Sequence, residues 1–60
     1  MTMKLFKEAE VSEQTGLSTS MLRKMRGNGT GPAWAKLMGA VRYPSDELDR
    51  WIEDHMRRAA

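Results

Sequence analysis

The sequence contains no cysteine and a single histidine, and its aromatic residues are two tryptophans, one tyrosine and one phenylalanine. Without cysteine there is no disulfide staple and no thiolate metal site. His55 has no second histidine at ligand spacing, so it is expected as a partly buried helix residue and not as a metal ligand. No apolar run approaches the roughly 18 residues that a membrane helix needs, and residues 1–7 lack the apolar stretch of a signal peptide. The expectation is a cytoplasmic protein of a reducing compartment with no membrane partner.

Phosphate loops and carboxylate pairs are also missing. Gly27, Gly29 and Gly31 follow a helix pattern and lead to a strand pattern, and no Gly-Lys-Ser/Thr comes after them, so they do not form a nucleotide-binding loop. Asp46 and Glu47 are adjacent, which on a helix makes them diverge, and acids are favoured at a helix start for electrostatic reasons alone. The chain is therefore read as having no cofactor, no small-molecule substrate and no enzymatic activity.

The most informative absence is local. Between Gln14 and Ser45 there is no acidic residue, whereas Arg23, Lys24, Arg26, Lys36 and Arg42 all lie there. That stretch carries five positive charges, and since the whole chain is +2, the flanks together carry −3. In the C-terminal flank Asp46, Glu53 and Asp54 precede Arg50, Arg57 and Arg58 by four residues each, the spacing at which helical acids sit beside bases. With those acids occupied, the central cations are expected to present an uncompensated field to a polyanion.

What is present suits one small folded unit. Sixty residues with 40% hydrophobic and 30% charged side chains are too apolar for disorder, and a domain of that size buries about 60% of its unfolded surface. "KEAEVSEQT", residues 7–15, is helix-compatible, with Val11 and the flanking Phe6 as apolar anchors and Gly16 as a stop, although Lys7 is a poor N-cap. Ser18 is a good N-cap for "TSMLRKMR", whose Met21, Leu22 and Met25 form one helical stripe and are expected in the core. "GNGTGP" is expected to end that helix. Residues 34–37 and 41–43 read as hairpin strands, with Gly39 supplying the unusual backbone angle at the tip. Ser45 then caps a last helix with Leu48, Trp51, Ile52 and His55 on one stripe.

Two short helices around a glycine turn invite a helix-turn-helix reading. The first helix needs a buried apolar residue, a small residue where the helices meet, then a glycine and an apolar neighbour; Val11, Ser12, Gly16 and Leu17 fill these places. The second must bury positions five and eight beyond Leu17, which are Leu22 and Met25. With a hairpin behind it the unit becomes a winged helix-turn-helix, mostly α with three helices and a two-stranded wing. Its boundaries within a single domain of residues 1–60 are about 7–27 for the helix-turn-helix, 27–33 for a loop, 34–43 for the wing and 45–58 for the C-terminal helix.

The runs "EVSEQTGLSTSMLRKMR", "GTGPAWAKL" and "VRYPSDELDRWI" resemble the small winged-helix proteins of the excisionase and AlpA type, a branch similar to MerR-like DNA-binding domains. The resemblance implies double-stranded DNA as partner. It implies major-groove contacts from Ser18, Thr19, Ser20, Arg23, Lys24 and Arg26, and wing contacts from Lys36 and Arg42. Trp34, Tyr43, Leu48 and Trp51 would pack the wing against the helices. The wing tip, Met38-Gly39-Ala40, lacks the arginines often seen there. As function, the resemblance implies a recombination directionality factor that binds beside an attachment site in neighbouring copies, bends it and helps an integrase excise a mobile element. An AlpA-like transcriptional regulator is the closest alternative. A DNA-packaging subunit or an antitoxin, acting through protein binding, is a third.

Overall fold

The computed structural model describes residues 3–59, with side chains to residue 56. Its elements are β1 (Leu5–Phe6), α1 (Glu8–Thr15), α2 (Thr19–Asn28), β2 (Ala35–Leu37), β3 (Ala40–Pro44) and α3 (Ser45–Ala59). Three helices and a small antiparallel sheet make the winged helix-turn-helix architecture that the spacing predicts. Among the described residues, no helix is long and apolar enough to cross a membrane.

The helix-turn-helix forms for local reasons. α1 begins after Lys7, whose ammonium cannot accept a hydrogen bond. Its first turn is satisfied from the other side, where the Glu10 carboxylate accepts the Lys7 N–H at 2.8 Å, one half of a capping box. Gly16 closes the helix at φ 77° and donates its N–H to Ser12 O at 2.8 Å. Thr15 bonds within the same turn, its hydroxyl donating to Val11 O at 2.8 Å and accepting the Leu17 N–H at 3.2 Å. Ser18 caps α2 as expected, accepting the Met21 N–H at 3.1 Å. The far end of α2 corrects the sequence reading: Gly27 and Asn28 stay helical, and Gly29 is the C-cap. A glycine with ordinary helical φ is tolerated in a last turn, where little of the ladder remains to be lost.

The sheet has three strands, in the order β1-β3-β2. The sequence predicts only the hairpin, in which Ala35, Lys36 and Leu37 pair with Arg42, Val41 and Ala40. Two residues, Met38 and Gly39, make the turn with φ 50° and 84°, the left-handed backbone that a two-residue hairpin requires and that glycine adopts without strain. β1 adds Leu5 opposite Pro44 and Phe6 opposite Tyr43. Ser45, expected as a helix cap, begins α3, and its hydroxyl accepts the Lys4 N–H at 3.0 Å while its own N–H donates to Lys4 O at 2.8 Å. Asp46 meanwhile accepts the Glu47 N–H at 2.9 Å. A two-residue strand has too little pattern of its own to be read from sequence; its pairing is set by β3 and Ser45.

Four side chains form the core: Val11, Leu22, Tyr43 and Leu48, one each from α1, α2, β3 and α3. Phe6, Leu17, Met25, Val41 and Ile52 pack around them, half-buried. Two packing expectations are corrected, for Met21 and for His55. Met21 is exposed, because Leu22 and Met25 face the core and position 21 falls at the edge of that stripe, about 100° round the helix from Leu22. Trp34, whose burial the sequence leaves open, precedes β2 and is exposed, with its ring against Arg26 of α2. His55 is exposed one turn beyond Trp51 and tilts over its ring at 4.2 Å between centroids, with Nδ1 2.9 Å from Trp51 O; the carbonyl can only accept, so Nδ1 carries the proton.

With so few buried side chains, each carries a large share of a stability that is on the order of 3–9 kcal/mol for this length. Leu48→Ala is expected to cost about 2–5 kcal/mol. Urea unfolding followed by tryptophan fluorescence checks this, and a loss below about 1 kcal/mol would place the core elsewhere.

Candidate nucleic-acid interface

α2 offers one solvent-facing side. At 100° per residue Ser20, Arg23, Lys24 and Gly27 share it, and all four are exposed, while Leu22 and Met25 face inward. Thr19 is half-buried at the edge, and Ser18 stays exposed although its hydroxyl is engaged as the cap. A Cβ at Gly27 would meet nothing within 4 Å, so packing does not demand a glycine there.

The cations are less free than the sequence suggests. Glu8, in the first turn of α1, reaches across to α2: its Oε2 accepts from Arg26 Nη2 at 2.9 Å and from Nε at 3.1 Å, and its Oε1 accepts from Arg23 Nε at 3.3 Å. The Tyr43 hydroxyl donates to the same Oε2 at 3.2 Å. Arg26 keeps only 20% of its side chain exposed and lies 5.4 Å from the centre of the Trp34 ring, so it is a structural cation, clamped between a carboxylate and an aromatic face. Arg23 is 64% exposed and holds Glu8 by one longer bond, which leaves most of its guanidinium available. The expectation of an uncompensated central field is thus corrected: one acid from the N-terminal flank folds onto two of the five cations.

Sequence reasoning passed over Glu8, although a signal was there. Glu8, Val11, Ser12 and Thr15 share one helical face, and Val11 is its buried anchor, so an acid on that face has to find a partner. The charge pairing expected in α3 is also adjusted. Arg50 pairs with Glu47 at 3.0 Å, three residues back, while Asp46 bonds at the helix start. The partners Arg57 and Arg58 have side chains outside the described residues.

Electrostatics at the Glu8 site follow from this geometry. Burial alone would lower the Arg26 guanidinium, but the hydrogen bond and charge of Glu8 outweigh it and raise it above its ordinary value. Burial pushes the Tyr43 phenol up, and the neighbouring Glu8 charge adds to this against a smaller opposing pull from Arg26.

The wing places its two cations apart. Antiparallel partners share a face, so Lys36 goes with Val41 and Arg42 with Ala35, on opposite faces of the ribbon. Lys36 is exposed; Arg42 is half-buried and donates from Nη1 to Val41 O at 2.8 Å. Between helix and wing, the loop is fixed at two points. The Trp51 indole N–H donates to Thr30 O at 3.3 Å, and a Cβ on Gly31 would lie 3.0 Å from Met25 Cβ, so a side chain there would require Met25 to give way by a few tenths of an ångström. Gly31 therefore serves close packing of the loop on α2.

A family model described as a helix-turn-helix domain matches residues 5–56. No curated protein and no solved structure matches the chain.

Tyr43 is the sole tyrosine, which makes the carboxylate knot directly measurable. Because its folded-state pKa is raised above the ordinary value of about 10, the stability it contributes is intact below that pH and is lost as pH rises through the folded-state value. The thermal midpoint is expected to fall above about pH 10, with the phenolate absorbance appearing together with unfolding. Ionisation at the ordinary pH with the fold retained would contradict this, and Glu8→Gln is expected to move the titration downward.

Proposed function

We propose that this chain, which belongs to the helix-turn-helix domain family, reads duplex DNA with α2 in the major groove and touches flanking phosphates with its wing. The observation that supports this most is the outward side of α2, where Ser20, Arg23 and Lys24 stand together exposed, Arg23 only loosely held by Glu8. Ser20 and Arg23 are suited to base edges, and Lys24 to phosphate. Ser18 and Thr19 lie at the N-terminal end of the helix, the end that such units aim at the bases. Gly27, on the same side, leaves room for a sugar-phosphate strand to pass close to the helix. Arg26 joins the interface only at its rim, since Glu8 and Trp34 hold it. Arg23 exchanges Glu8 for DNA, Lys36 and Arg42 add phosphate contacts, and about four charges are neutralised.

A single unit of this size contacts few base pairs, so useful specificity calls for neighbouring copies on repeated sites or a protein partner. Together with the sequence resemblance, this favours a recombination directionality factor: an excisionase that coats and bends attachment-site DNA and helps an integrase to excise a mobile element in the bacterial cytoplasm. A transcriptional regulator of the AlpA type would use the same contacts at a single operator.

Two measurements test these readings. Replacing Arg23 and Lys24 with alanine is expected to weaken DNA binding and to flatten the dependence of log K on log salt by between about one and two, the smaller figure applying if Glu8 already discharges Arg23. Unchanged affinity and slope would sink the major-groove assignment. Genomic fragments retained by the purified protein are expected to contain clustered repeats beside an integrase gene or attachment site. A lone operator upstream of a gene would select the regulator, and no enrichment would favour a protein-binding role.

A further inference from the structure

The wing tip combines two choices that folding alone disfavours. Met38 occupies the first position of the two-residue turn at φ 50°, a left-handed backbone for which asparagine or glycine is the usual choice. Its side chain is fully exposed, at 105% of the reference, and Leu37 beside it is 46% exposed. Neither the turn nor the core gains from a methionine there. A long, flexible apolar side chain at the end of a ribbon is, however, well shaped to enter a narrow apolar space.

The surroundings of the tip define that space. Residues 34–43 include no acid, and the register sets Lys36 on one face of the ribbon and Arg42 on the other. An apolar point with a cation on each side complements a groove whose two walls are negative and whose floor is the stacked edge of bases. The minor groove of DNA, about 6 Å wide between its phosphate strands, has this form. Apolar side chains inserted from that groove partly unstack a base step and kink the duplex.

We propose that Met38, backed by Leu37, is an apolar wedge that enters the minor groove and opens a base step, with Lys36 and Arg42 each facing one phosphate wall. The inference rests on the DNA-binding reading above and supplies the device by which a protein of this size bends its site. Flexible pyrimidine-purine steps, the easiest to unstack, are the favoured points of entry.

The test uses the full chain and a duplex taken from its retained genomic fragments, carrying a fluorescent adenine analogue at each pyrimidine-purine step in turn and a donor-acceptor dye pair at the ends. The unaltered protein is expected to brighten the analogue at one step beside the major-groove contact and to shorten the end-to-end distance. Met38→Asn, which suits the turn better, is expected to raise the thermal midpoint by a few degrees. It should abolish the brightening and most of the shortening, while Met38→Leu keeps both. Binding by Met38→Asn with brightening and shortening intact overturns the wedge and leaves the DNA-binding reading standing. Loss of cooperativity alone, with the analogue unaffected, also overturns it, because the tip then contacts a neighbouring copy. If the unaltered chain retains no duplex at all, both readings fall.

Discussion

One carboxylate organises the polar half of this small molecule. Tyr43 is fully buried, hydroxyl included, and the Arg26 side chain is mostly covered; each would be costly there without a partner, and both turn to Glu8. α1, α2 and β3 thereby meet at a shared pair of oxygens on the edge of a four-residue apolar core. A core of four fully buried side chains leaves considerable freedom in how two helices and a sheet are set against one another. Directional bonds from one acid to three donors remove much of it, because each fixes an angle as well as a distance.

The same knot divides the cations of α2 by task. Arg26, bidentate on Glu8 and covered by Trp34, belongs to the scaffold. Arg23 shares the acid more loosely and points mainly into solvent, and Lys24 lies further round the helix on its exposed side. Three cations that look equivalent along the chain thus differ in how readily each can turn toward a phosphate. Glu8 also keeps the arginine nearest the scaffold from adding to the non-specific attraction that any basic surface has for nucleic acid.

Features governed by residues near one another in sequence were legible in advance. Ser18 caps α2, Gly16 ends α1, Gly39 turns the hairpin, and Val11 and Leu22 are buried where the helix-turn-helix spacing puts them. Contacts that span 15 to 35 residues were not, and the Glu8 bonds to Arg23, Arg26 and Tyr43 are all of that kind. Nor was β1, whose two residues take their conformation from β3 and Ser45. Met21 shows a second limit: its place on the Met21-Leu22-Met25 stripe assigned it to the core, whereas a core filled by Tyr43, Leu22, Leu48 and Val11 had no place for it. The outward residues of α2 were readable as a surface, and the opposite facing of Lys36 and Arg42 required the register.

The loop between α2 and the wing is glycine-rich, yet it is held by the Trp51 indole at Thr30, by the tight passage of Gly31 over Met25 and by Trp34 stacked on Arg26. Helix and ribbon are consequently set at a defined offset from one another. If α2 and the wing contact DNA as proposed, such an offset works as a ruler: the number of base pairs between the two contacts becomes part of what is recognised. Inserting or removing a pair there would displace one contact by about 3.4 Å and rotate it around the duplex axis, even with every contacted base unchanged.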